Sequence, residues 1–205
     1  GTAEFWFRPL WSTTDCNLTT LDKSTKRMQF YQGNPIALSY WIDPDNGGRT
    51  GRYNLVFLMV EIRGLGEGTR ARFFFEAGKW YHLAMTWNVD GKNNECNLFI
   101  NGHKQPFSHY KQTLAPDAPV AKLVPAGKNA RLGSGHLYGY MATSELYDEL
   151  RVSRVVRYKD DFEPPSAPFA ADQDTNLLMH FDGNLEGAMG SAPVTGQFIK
   201  DRKLW

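Results

Sequence analysis

Residues Trp80 to His103 read WYHLAMTWNVDGKNNECNLFINGH. The first part alternates: Trp80, His82, Ala84 and Thr86 fall on one face, and Tyr81, Leu83, Met85 and Trp87 on the other, which is the period of a strand. Asn88 to Glu95 carries Asp90-Gly91, a strong turn dipeptide, among residues with little apolar surface to bury. Pairing resumes at Cys96 to Ile100, and Asn101-Gly102 is the residue pair that a two-residue hairpin turn demands. The middle of the chain therefore reads as an antiparallel meander with one wholly apolar face. That face needs a second sheet to cover it.

The same pattern extends outward. Thr2 to Arg8 reads as a strand stopped by Pro9, which cannot donate to a ladder. Met28 to Tyr31 and Ile36 to Ile42 are strands around the turn Gly33-Asn34-Pro35, followed by strands at Tyr53 to Arg63 and Arg70 to Glu76, with Gly64, Gly66 and Gly68 loosening the connection. Residues 13–26, 43–52, 104–128 and 133–139 read as loops, and Ala130 to Ser134 as a short strand. Leu146 to Ser153 alternates, placing Leu146, Asp148, Leu150 and Val152 together, and Asn176 to Phe181 is the last apolar strand. FEPPSAPF, 162–169, is a Pro-rich strap expected to lie extended on the surface. About eleven to thirteen strands, with no helix beyond one or two turns, predict an all-β fold, a two-sheet antiparallel sandwich. Residues 1–205 form one domain in this reading, with 159–173 as the strap. Residues 174–205 are a terminal strand and tail that completes this domain or a neighbouring one.

Length and composition agree with a strand-built domain. The 205 residues suffice for a real core, and 6 Trp, 9 Tyr and 13 Phe are what sheets favour. With 23 basic and 22 acidic residues the net charge is +1, without the basic excess or stripe of a nucleic-acid binder. No segment approaches the roughly 20 apolar residues of a membrane span. A start at Gly1 without Met points to a mature or trimmed chain. Cys16 and Cys96 read equally well as two buried thiols or as a disulfide, and neither sits in a CxxC zinc or redox motif. Asn17-Leu18-Thr19 matches a glycosylation acceptor, a triplet common by chance.

Four segments together resemble the laminin-G-like, concanavalin A-like jelly-roll superfamily: GTAEFWFRP at 1–9, WYHLAMTWN with LFINGH within 80–103, YDELRVSRVVRY at 147–158, and NLLMHFDGNLEG at 176–187. The resemblance implies a jelly-roll sandwich and, because the superfamily mixes lectins, adhesion modules, glycanases and structural repeats, it implies no single function. One departure is visible. In the family the HFDG strand opens the domain ahead of EFWFRP, whereas here it comes near the end. A piece of a tandem array, a circular permutation, or a subunit whose last strand completes a neighbour would each produce that order.

The superfamily's glycanases carry acids in a Glu-x-Asp-x-x-Glu strand motif, which Glu145, Asp148 and Glu149 do not match. On a regular strand Asp148 and Glu149 point to opposite faces and cannot flank one glycosidic bond. The resemblance makes Asp148 a structural carboxylate bonded to loop backbone. It also implies calcium at the sandwich edge, for which the oxygen donors are Asp182 and Asn184, Asp43, Asp45 and Asn46, and Asp90, Asn93 and Glu95. Asp and Asn beside Gly equally serve the turns themselves. The histidines show neither HxxxH nor HExxH spacing, and no Ser sits in a Gly-x-Ser-x-Gly elbow. Sugar binding needs aromatic faces beside hydrogen-bonding groups, and Trp41, Tyr138 and Tyr140 near Arg49, Arg52 and His136 supply those types.

The expectation is a non-catalytic extracellular or cell-surface recognition and adhesion module for carbohydrate or glycoprotein. The alternatives are a structural subunit or repeat of a surface, filament or phage-tail-like assembly, joined through its C-terminal strand to a copy or neighbouring module, and then a polysaccharide hydrolase or lyase.

Overall fold

The computed structural model describes residues 1–12, 26–32, 36–44, 53–62, 67–71, 73–88, 95–106, 108–111, 131–133, 140–141, 145–189 and 192–195. These residues hold fifteen strands and no helix. The chain divides into two compact units, Gly1–Arg8 with Trp80–Gln105 and Leu146–Trp205, and Pro9–Lys79 with Pro106–Glu145.

The first unit is built on an eight-stranded sheet. Its strands are β1 (Thr2–Pro9), β6 (Tyr81–Asn88), β7 (Glu95–Ile100), β8 (His103–Lys104), β12 (Glu145–Ser153), β13 (Thr175–Met179), β14 (Glu186–Met189) and β15 (Ala192–Thr195). They lie in the order β15-β14-β13-β12-β1-β6-β7-β8. The β1–β6 register sets Phe5 opposite Leu83 and Glu4 opposite Ala84, and β6–β7 sets Met85 opposite Leu98 and Ala84 opposite Phe99. One face thus collects Ala3, Phe5, Phe7, Leu83, Met85 and Leu98, none of which is exposed. The other collects Thr2, Glu4, His82 and Thr86, which are equally buried. Cys96, at the start of β7, is a buried free thiol, and burial pushes its pKa far above the ordinary thiol value.

The Asn-Gly hairpin forms as its residues dictate. Ile100 pairs with His103 across Asn101 (φ 51°) and Gly102 (φ 77°), both left-handed as such a turn requires. Asn101 also extends the ladder, donating its N–H to His82 O (2.8 Å) and accepting the His82 N–H on Oδ1 (2.9 Å).

The second unit carries a seven-stranded sheet. It contains β2 (Lys26–Gln32), β3 (Ile36–Pro44), β4 (Tyr53–Ile62), β5 (Glu67–Ala71), β9 (Ser108–Lys111), β10 (Arg131–Leu132) and β11 (Tyr140–Met141). The order is β10-β2-β3-β4-β5-β9, and β11 pairs with β2 in parallel. Phe30, Ile36, Leu38 and Phe75 are buried, with Trp11 stacked on Phe30 at 6.5 Å and edge-on to Phe75 at 6.0 Å.

Four expectations are corrected. The strand expected at Arg70 to Glu76 begins earlier, because Glu67 and Gly68 pair with Ile62 and Glu61, and Phe73 and Phe75 leave the ladder to pack ring against ring at 4.9 Å. The excursion after His103 is interrupted by β8 and β9, the latter pairing with β5. The alternation of β12 breaks at Glu149, whose φ of 54° is left-handed. Leu146 is consequently exposed while Leu150 is buried, and Tyr147 meets Phe5 and Phe7 at 5.6 and 5.8 Å. The Pro-rich strap is not simply a surface feature: its tip at 166–168 is exposed, but Phe169 is buried and Phe162 stacks on Tyr158 at 3.5 Å between centroids.

Gly102 is the hinge of that packing, since its O accepts the Phe162 N–H (3.0 Å) and a Cβ there would run into the Phe162 carbonyl oxygen. Gly183 has a similar φ of 79° but open space around the same position. Gly102→Ala should therefore cost about 2–4 kcal/mol, strain plus collision, against about 1–2 kcal/mol for Gly183→Ala. Urea denaturation of the two variants measures the difference, and equal costs would remove the strap contact from the explanation.

Candidate functional site

Two groups of ionisable side chains stand on the eight-stranded sheet. The first is centred on Glu4, in the middle of β1 and with no exposed surface. Arg151, on the neighbouring β12, donates from Nε to Glu4 Oε1 at 2.8 Å and brings Nη2 to the same oxygen at 2.8 Å. Tyr158, beyond β12, donates its hydroxyl to Oε2 at 2.8 Å. His82 Nε2 lies 3.2 Å from Oε2, an ion-pair contact whose angles fall outside hydrogen-bond geometry. Burial alone would raise the Glu4 carboxyl; the contact with His82 and the charge of Arg151 outweigh it and hold its pKa below the ordinary value. Burial, then the Glu4 charge, push the Tyr158 hydroxyl up, so it stays a donor.

Aromatic rings close this group off. Trp6, Phe162 and Phe169 surround the His82 ring at 5.2, 5.7 and 6.0 Å, and the Arg151 guanidinium lies over Phe169 at 4.5 Å. Glu4 and Arg151 neutralise one another inside the unit, while the His82 ring nitrogens make no hydrogen bond with the described residues.

The second group sits at the rim where β12 and β13 pair. The left-handed backbone at Glu149 turns its carboxylate toward two partners: Oε2 accepts the Phe169 N–H (2.6 Å), and Oε1 and Oε2 face His180 Nδ1 at 2.8 and 3.0 Å. His180 is half-exposed, and its Nε2 makes no hydrogen bond with the described residues. Asp148 accepts its neighbour's backbone N–H, and burial, then the charge of Glu149, raise its carboxyl above the ordinary value, with Asp182 adding to the effect. An imidazole oriented by a carboxylate through Nδ1 and open at Nε2 can hold a proton or accept a ligand's hydrogen bond. Among the described residues no three His, Cys, Asp or Glu side chains converge to hold a metal ion.

The residues singled out from the sequence are distributed unevenly. Asp182 is exposed beside this rim, while Asn184 Oδ1 accepts the Glu186 N–H at 2.9 Å and so serves its own turn. Asp43 lies in β3 opposite Leu55. Arg49, Arg52, His136, Tyr138, Asp45, Asn46, Asp90 and Asn93 lie outside the described residues. Glu95 opens β7, where its Oε1 accepts from the Asn97 amide at 2.8 Å. Trp41 and Tyr140 are brought together: Trp41 on β3 and Tyr140 on β11 both pair with Arg27 of β2, from opposite sides. Tyr140, Arg27, Trp41 and Phe57 thus occupy one row of the seven-stranded sheet.

The sequence pattern singles out neither Arg27 nor His180 as a site residue. A signal for His180 exists in the spacing of YDE and HFD on adjacent strands, but Arg27 is one of 23 basic residues with nothing local to mark it. No family model, curated protein or solved structure matches the chain.

Removing one member of the buried pair should cost more than removing both. Arg151→Met leaves a carboxylate dry and unpaired, an expected loss of about 3–5 kcal/mol. Glu4→Met with Arg151→Met should recover at least about 1 kcal/mol of that loss. Chemical denaturation of the single and double variants tests this, and additive losses would mean the two charges are not coupled.

Proposed function

We propose that this chain is a non-catalytic recognition module acting outside the cell, its two sheets forming a jelly-roll sandwich that binds carbohydrate. The observation that carries the reading is the row Tyr140–Arg27–Trp41, where aromatic residues flank an arginine in consecutive strands. That combination suits a sugar: rings take the C–H faces of pyranose units, and a guanidinium fixes hydroxyls or an acidic group. Neighbouring strands lie about 4.8 Å apart, close to the span of one sugar unit.

Two buried carboxylates among the described residues are taken up by the fold itself. Glu4 is committed to Arg151 and Tyr158, and Glu149 to His180 and the Phe169 N–H. Glycoside hydrolysis needs two free carboxyls facing one bond. The four-segment resemblance to the laminin-G-like superfamily supports the sandwich.

A glycan array, followed by calorimetry on the best ligand, tests the proposal. Arg27→Gln and Trp41→Ala should each weaken binding about tenfold or more with the unfolding midpoint checked, as for residues in a binding hot spot. Asp148→Asn should leave binding unchanged. Release of shorter sugars from any bound polysaccharide, lost in Asp148→Asn, would replace this reading with an enzyme.

A further inference from the structure

Residues 154–174 join β12 to β13 and lie against the face of the sheet that holds Glu4 and His82. Some of their attachments are uncharged: Phe162 N–H to Gly102 O at 3.0 Å, Arg157 N–H to Thr2 Oγ1 at 2.9 Å, and Thr2 Oγ1 to Val155 O at 2.8 Å. Two more end on backbone carbonyls, Lys104 Nζ to Lys159 O at 2.8 Å and Arg151 Nη1 to Ala170 O at 3.5 Å; further anchors involve carboxylates. Tyr158 donates to the Glu4 carboxylate, and the Phe169 N–H to that of Glu149. Asp161 accepts the Lys104 N–H at 2.8 Å and faces His103 Nδ1 at 3.1 Å. Asp172 receives the Arg157 fork at 2.9 and 2.7 Å and the Thr175 hydroxyl at 2.8 Å, and Arg154 holds Asp174 at 2.8 Å. Three carboxylates, Glu4, Glu149 and Asp161, thus hold the segment to the strands beneath it, and Asp172 and Asp174 clasp its two ends together through Arg157 and Arg154. Glu4 also pairs with Arg151 between β1 and β12, but the β1–β6–β7 ladders beneath are held by backbone bonds that do not titrate and by an apolar face.

We infer that the segment 158–172 is an acid-releasable strap: protonation of its anchoring carboxylates detaches it while the eight-stranded sheet stays paired. Detachment uncovers Glu4, His82, Phe99 and Arg151, a surface of rings and polar groups that the strap covers through Tyr158, Phe162 and Phe169.

The direction follows from linkage. Glu4, Asp161 and Asp172 all titrate below their ordinary values: Glu4 through His82 and Arg151 against burial, Asp161 through the Lys104 N–H, Asp172 through Arg157. A depressed carboxyl contributes stability that is complete above its unfolded value and lost as pH falls through its folded value. Release therefore belongs below about pH 4, the ordinary carboxylate range. The groups facing these anchors oppose it. Arg151, Arg154, Arg157 and Lys104 stay charged, and protonated His82, His103 and His180 would each hold their carboxylate more firmly. Asp148, pushed up by burial and by Glu149, loses its charge first and relieves repulsion on Glu149, which also keeps the strap down.

Hydrogen exchange on the full chain from pH 7 to pH 3, corrected for intrinsic exchange, tests the strap. The peptide covering 159–171 should lose protection at a higher pH than the peptide covering β6, exchanging about tenfold faster or more at pH 3, as loss of charge-assisted bonds requires. Asp172→Asn and Glu4→Gln should move the strap's release to higher pH, whereas Asp160→Asn, which removes none of these anchors, should not. Should Glu4→Gln fail to fold, Asp172→Asn decides alone. Simultaneous loss of protection in strap and β6, or a strap still protected at pH 3, would overturn the inference.

Discussion

A carboxylate placed in the middle of a sheet, with no exposed surface, governs the first unit of this protein. Glu4 on β1 would be too costly to bury as a lone charge. Its partners arrive from far along the chain: Arg151 lies 147 positions later and Tyr158 lies 154 positions later. Satisfying Glu4 thus requires β12 beside β1 and the segment after β12 folded back over the sheet. That single requirement joins the first strand of the chain to the last third of it.

The two faces of the sheet follow from the same constraint. One buries Phe5, Phe7, Leu83, Met85 and Leu98 and needs only apolar cover. The other carries Thr2, Glu4, His82 and Thr86, which a purely apolar layer would leave unsatisfied. The strap meets the demand of Glu4 through Tyr158, while Phe162 and Phe169 pack edge-on against the His82 ring. Its close approach at Gly102 explains why the hairpin tip carries a residue without a side chain. Asn101 at the same tip ties the turn to β6, so the hairpin and the strap's landing place form one rigid piece.

Among the described residues of the first unit, Glu4, Glu149, Asp161, Asp172 and Asp174 are each bonded within the fold. At the rim, His180 is oriented by Glu149 and its Nε2 makes no hydrogen bond with the described residues; in the seven-stranded sheet the register sets Arg27 between Trp41 and Tyr140.

The β6–β7–β8 hairpins are legible from the residues alone, because alternation of period two and the Asn101-Gly102 pair are local properties of adjacent positions. The all-β class, the strand ending at Pro9 and the apolar face of β6 are legible for the same reason. Glu149 is not: a left-handed residue inside an alternating strand has no signature in its neighbours, and only its bonds to His180 and the Phe169 N–H make that backbone worth adopting. Nor is the strap's role, since Pro-rich composition says the segment is extended but not what it covers. The sequence by itself determined which stretches become strands and which face of each is apolar, because those depend on spacing along the chain. Only the tertiary structure decided that Glu4 meets Arg151 and Tyr158, and that Arg27 lies between Trp41 and Tyr140, because such pairings depend on strand order, which local pattern does not encode.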